Sequence, residues 1–178
     1  MSNIKLKNLQ FSNMFSYGVD NKLDLDQSKI TQLTAPNGSG KSSIAMIIQE
    51  ILFNKNVKGI KKTDILNRWT KGKQWSGSLD LTVGDKNYTI GVVRSGAQTK
   101  VKLIEDGVDI SDHKVLDTYK KIQEIIGLDF EVFSQLTYQS STDLLEFLKA
   151  TDTNRKKFLI NLFNLQKYIE IGDKIKAK

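Results

Sequence analysis

One stretch, residues 30–51 with the sequence ITQLTAPNGSGKSSIAMIIQEI, most narrows what this chain can fold into. A β-rich run ends at Thr34, a glycine-containing turn covers residues 35–40, and the spacing of Ile44, Ile47, Ile48, Ile51 and Leu52 predicts a helix from about Lys41. The order is strand, loop, helix. Ala35, then four residues, then Gly40, Lys41 and Ser42 fit the Walker A spacing with alanine in the first place. Gly38 and Gly40 allow backbone turns closed to other residues, so successive N–H groups can form a nest for phosphate oxygens. The helix N-terminus adds its own preference for anions. Candidate contacts to ATP are therefore Pro36, Asn37, Gly38, Ser39, Gly40, Lys41, Ser42 and Ser43. Lys41 is placed to reach the β- and γ-phosphates, and the Ser42 hydroxyl to ligate Mg²⁺. If the first position demanded a left-handed backbone, Ala35 would cost roughly 1–2 kcal/mol. Several amides, a lysine and a magnesium ion acting on a triphosphate outweigh that.

With 178 residues, 39% of them hydrophobic, the chain can bury one good core and is short for two. One domain is expected. The absence of cysteine removes disulfides, thiolate metal sites and cysteine nucleophiles together. The first ten residues hold no apolar signal-type run, and the longest uninterrupted apolar run is residues 44–48. Neither a signal peptide nor a membrane span is expected, which points to an intracellular protein.

Charge is unevenly placed. Residues 55–73 contain seven basic side chains and one acid, so this segment carries +6 of the net +7. Such an excess suits a polyanionic partner, nucleic acid being the commonest. A solvated lysine-rich loop has the same composition, and the two readings stay open.

Before the phosphate loop, residues 4–34 read as three strands, with a slip in alternation that suggests a bulge near Asn8. After the helix, Thr63 reads as the cap of a short helix. From residue 75 to 110 the period becomes two, with turns at Gly84-Asp85, Ser95-Gly96 and Asp106-Gly107, which predicts an antiparallel meander. Lys100 and Lys102 share one face of its third strand, with Arg94 nearby across the turn, a second candidate basic surface. A helix is expected over 114–126, stopped by Gly127, then a short helix over 129–136 and a last helix from about 153 that runs to the end with no stop signal. Hydrolysis of ATP also needs an acid for magnesium and a group that polarises water. No apolar run ending in Asp-Glu is present, and the single histidine, His113, sits in a polar turn. No catalytic residue is assigned.

The order of hairpin, APNGSGKSS, amphipathic helix, GIKKTD at 59–64, meander and FSQLTYQSS at 133–141 resembles the N-terminal ATPase lobe of the SMC-like ATPases of double-strand-break repair. Within them it looks most like the SbcC-type and phage recombination exonuclease subunits. The closing RKKFLINLFNL at 155–165 is similar to the segment before the family's long coiled coil. The phosphate loop is the sharp part of this likeness; the rest matches by order and spacing.

The resemblance implies an α/β fold, a P-loop NTPase half-head of the ABC/SMC type, with an antiparallel β-meander and a C-terminal helix leading to a coiled coil. It implies a lobe over 1–165 and the start of the coiled-coil helix over 166–178. Gln139 falls where the family carries the Q-loop glutamine that completes magnesium coordination, although a surface glutamine is also compatible. The signature motif, Asp-Glu pair and switch histidine belong to a second lobe with no counterpart in these 178 residues. Implied partners are that C-terminal lobe, a second head in a homodimer sandwiching two ATP molecules, a phosphoesterase nuclease docked near residues 162–178, and double-stranded DNA; no membrane is implied. In that setting ATP binding would drive head engagement and gate the nuclease, in the host cytoplasm if the source is a phage. Departure at Ala35 bears on affinity more than on binding mode. A structural DNA-clamping SMC head without a nuclease is the alternative, and a stand-alone phosphate-loop regulator a third. DNA contacts are expected to be to the backbone, through Lys58, Lys61, Lys62, Lys100 and Lys102.

Overall fold

The computed structural model describes residues 3–28, 30–136 and 149–163, with positions 165, 168, 171, 172, 174 and 175 beyond them. Two compact units divide at Gly127, Met1–Gly127 and Leu128–Lys178. Nothing in the apolar pattern marks that division.

The first unit is built on a six-stranded antiparallel sheet: β1 Ile4–Ser12, β2 Asn21–Asp24, β3 Gln74–Val83, β4 Lys86–Ser95, β5 Gln98–Glu105 and β6 Val108–Asp109, in the order β2-β1-β3-β4-β5-β6. The expected meander is present. The expected bulge is also there, as a register shift between Leu6 and Asn8 where β1 pairs with β3. It lets Ile4 and Leu6 on one side of the slip, and Leu9 and Phe11 on the other, keep to one face.

Helices α1 (Lys41–Phe53) and α3 (Val115–Ile126) lie against each other and cover one face of the sheet. Their apolar stripes, with Ile47, Ile51, Leu52 and Ile122, meet Leu9, Leu79, Leu81, Ile90 and Leu103, all essentially inaccessible. Asn54 and Gly127 end these helices in left-handed conformation, each N–H donating to the carbonyl four residues back. The close approach of α1 to the sheet depends on Gly77. A Cβ there would lie 2.8 Å from Cδ1 of Ile51. The short α2 spans Lys62–Ile65; its cap is Lys61, without a side-chain bond, and not Thr63. In the second unit, α4 Phe130–Leu136 and α5 Asp152–Leu162 lie against each other.

One expected strand is not formed. Residues 30–34 are irregular, and Ile30 is 87% exposed and Leu33 47%. A strand needs a neighbour to take its N–H and C=O groups, and among the described residues this segment has no backbone partner. Apolar, β-branched composition is insufficient without one.

Candidate functional site

The loop over residues 35–40 takes the shape its glycines predict. Gly38 (φ 83°) and Gly40 (φ 92°) are left-handed, whereas Ala35 is not among the positive-φ residues. The strain considered for alanine therefore does not arise. Helix α1 opens at Gly40 with no side-chain cap and no acid in its first turn. Its N-terminus is left positive, the state that favours an incoming anion. Lys41 folds back over its own loop, Nζ donating to the carbonyl oxygens of Ala35 (2.5 Å) and Pro36 (2.8 Å). Residues 35–39 and Ser42 are exposed. The Ser42 hydroxyl makes no hydrogen bond among the described residues, so its lone pairs fit a magnesium ligand.

The residues that brace this loop carry no signal in the sequence. The β1–β2 connection contains three non-glycine residues at positive φ, Asn13, Phe15 and Asp20. Such strain persists only where neighbours enforce it. Here Phe15 N–H donates to Ile65 O, Asn67 N–H to Asn13 O, and the Asn67 side chain to Tyr17 O. Tyr17, packed edge-on against Phe11 with ring centroids 5.0 Å apart, donates its hydroxyl to Gly40 O at 3.1 Å. Burial pushes that phenol above its usual pKa. Ser16 crowds the same place: a Cβ on Gly40 would lie 2.4 Å from Ser16 Oγ. Beside it lies an open cleft of about 730 Å³ bordered by Phe15, Ser16, Ile60, Lys61, Asp64 and Trp69. Only positive φ at a bulky residue marks this region, and a sequence does not display φ.

The five lysines proposed for DNA fall in three settings. Lys58 and Lys61 are exposed, and Lys61 borders the cleft beside the phosphate loop. Lys62 is half-buried, paired with the fully buried carboxylate of Glu50, and bonded to Asn54 O at 2.6 Å. Burial lowers the Lys62 pKa despite its carboxylate partner, because desolvation outweighs the pairing. Lys100 and Lys102 project from the sheet face opposite α1. A row in register crosses that face, Lys22, Gln10, Ser78, Gly91 and Lys102. Lys22, Gln10, Ser78 and Gly91 border a cleft of about 480 Å³. Arg94 pairs with Trp75 and Thr99 and so sits on the other face from Lys100 and Lys102. Strand alternation separates it from the surface with which it was grouped. Gln139 lies outside the described residues.

Sheet, phosphate loop and helix together define a P-loop NTPase fold of the α/β class. The chain belongs to the AAA domain family, whose pattern it matches over residues 8–178. It is 46% identical over 178 residues to the probable exonuclease subunit 2 of Escherichia phage T5, covering 99% of this chain and 29% of that protein. Identity to the DNA double-strand break repair Rad50 ATPase of Methanococcus maripaludis is 25%, over 96% of this chain and 17% of that protein. The chain thus spans under a third of the length of these relatives. Among solved structures, one from work on ATP-driven dimerization and DNA-stimulated activation of SMC ATPases aligns with a TM-score of 0.63 at 17% identity, covering 88% of this chain and 98% of that one. The recombination mediator RecF with ATP aligns at 0.57 and 16% identity, over 94% of this chain and 42% of that one. Similarity to SMC-like repair ATPases, first visible in the motif order, extends to the fold. No helix among the described residues is long and apolar enough to cross a membrane.

Proposed function

We propose that this chain is the N-terminal ATP-binding lobe of the ATPase subunit of an intracellular DNA repair or recombination exonuclease complex. The observation that carries the reading is the uncapped N-terminus of α1 behind a glycine loop, with Lys41 and Ser42 at its mouth. Residues 36–43 hold the triphosphate, Lys41 exchanging its two carbonyl partners for phosphate oxygens, and Ser42 and Gln139 hold magnesium. Held there, the ion would supply charge neutralisation to the phosphates. The cleft at Phe15, Ser16 and Trp69, adjoining the loop, is of a size to take the base and ribose.

In this reading residues 1–165 form the lobe and 166–178 begin a coiled-coil helix. A C-terminal lobe completes each head, two heads close over two ATP molecules, and closure gates a phosphoesterase nuclease. Double-stranded DNA lies along exposed lysines by backbone contact, Lys58 and Lys61 at one place, and Lys100 and Lys102 with Lys22 along the outer sheet face. Lys62, neutralised by its pairing with Glu50, adds little to that positive surface. The 46% identity to a phage exonuclease subunit favours this over a structural DNA clamp, for which only fold-level similarity speaks.

Calorimetric titration of magnesium ATP into the chain, beside Lys41→Ala, tests it. The expected result is weak binding that the variant abolishes, with almost no turnover until the C-terminal lobe is added. Equal binding by both proteins, or brisk hydrolysis by these 178 residues alone, would contradict it.

A further inference from the structure

A small pocket of about 140 Å³ lies where the lysine-rich segment meets the end of the meander, lined by Lys62, Leu66, Lys73, Trp75, Arg94 and Gly96, with Thr63 at its margin. Three of these side chains are cationic. Lys62 has Glu50 as its counter-ion, but no carboxylate among the described residues lies within ion-pairing distance of Arg94 or Lys73. Two of the lining residues also carry a buried donor without an acceptor. Trp75 is 2% exposed, and its indole N–H finds no acceptor; Nε of Arg94 is likewise buried and without one. Arg94 spends one other N–H on the Thr99 hydroxyl at 2.8 Å.

Buried N–H groups without acceptors are uncommon and costly. A water could accept from either, but it would leave the partly buried charge of Arg94 without a counter-ion. An oxyanion answers both deficits, because its oxygens accept from N–H groups while its charge meets the cations. At about 140 Å³, against roughly 30 Å³ for a liquid water, the pocket admits one phosphate-sized group and excludes a whole nucleotide.

We infer that the pocket formed by Arg94, Trp75, Lys73 and Lys62 is a second phosphate-binding site, sharing no residue with the phosphate loop and taking a single phosphate-class oxyanion. Arg94 and Trp75 donate from the walls, and exposed Lys73 closes over the mouth. The group comes either from free phosphate or from the backbone of a polynucleotide. The inference does not depend on the proposed ATPase role.

The chain has two tryptophans, so the indole ¹⁵N–¹H resonances provide a local readout, Trp69 (93% exposed) serving as control and Trp75→Phe giving the assignment. Inorganic phosphate titrated at constant ionic strength should move the Trp75 signal saturably and the Trp69 signal little. Lys73→Ala, a surface change, should weaken the response about tenfold, in line with loss of one charge-assisted hydrogen bond. Lys41→Ala should leave it intact. A short DNA duplex that reproduces the shift identifies the source as backbone phosphate, and one that does not identifies free phosphate. A Trp75 signal indifferent to phosphate, matched by chloride, or lost in Lys41→Ala and retained in Lys73→Ala, would overturn the assignment.

Discussion

The Tyr17 hydroxyl donates to the carbonyl oxygen of Gly40 across 3.1 Å, tying the strained β1–β2 connection to the last residue of the phosphate loop. Gly40 is also the cap of α1, so this one bond links the loop that receives phosphate to the connection whose Phe15 and Ser16 border the neighbouring cleft. Tyr17→Phe keeps the ring contact with Phe11 and removes the bond. Stability should fall by about 1 kcal/mol, with weaker magnesium ATP binding by calorimetry. Unchanged affinity would mean that the loop holds its shape without Tyr17.

Gly40→Ala places a Cβ 2.4 Å from Ser16 Oγ at a φ of 92°. The backbone term alone is roughly 1–2 kcal/mol, and the contact adds to it. The folded variant should bind no nucleotide in the same titration. Ser16→Gly combined with it should recover only part of the stability and part of the binding, because φ stays strained.

Gly77→Ala pushes into Ile51, whose Cδ1 would lie 2.8 Å from the new methyl group. Urea unfolding should show a loss of about 1–3 kcal/mol, the usual cost of overpacking. Ile51→Val removes that Cδ1 and should restore part of the loss in the double variant. Simple additivity of the two changes would argue against a direct clash.

Lys62→Met leaves the Glu50 carboxylate buried with only the Asn56 amide, 2.6 Å away, as its side-chain partner. Breaking a buried pair costs roughly 3–5 kcal/mol, and partial exposure of Lys62 places this near 3. Burial lowers the Lys62 pKa below 10.5, so in the window beneath that value the unfolded chain holds more protons and this group's contribution to stability rises with pH. The variant lacks that rise. Its deficit relative to the parent should widen as pH approaches 10.5, measured by urea unfolding at stepped pH.

Tyr119 has the opposite sign. Burial raises its phenol well above 10.0, so above that pH the folded state holds the extra proton and stability falls as pH increases. Tyr119→Phe should lose less stability between pH 9 and 11 than the parent. An identical decline would place the alkaline loss elsewhere.

Much of the fold was legible because it rests on local rules. The slip between Leu6 and Leu9 announced the bulge, turn residues announced the meander, and the spacing of Ile44, Ile47 and Ile51 announced α1. Residues 30–34 failed for the complementary reason: their composition is strand-like, but pairing depends on a neighbour that composition cannot supply. At the site, glycine and lysine spacing gave the phosphate loop itself. Ser16 and Tyr17 were invisible because their role comes from contact with a residue 23 or more positions away.

What the sequence alone determined was the phosphate loop, the alternating strands and the helix faces, since each follows from backbone preference and periodicity within a dozen residues. Only tertiary structure decided which charges are available. It turned Lys62 inward to Glu50, put Arg94 on the face opposite Lys100 and Lys102, and enclosed it with Trp75 in a pocket. The physical reason is that charge is counted along the chain, whereas solvation and partners are set by strand register and packing, which join residues far apart in sequence.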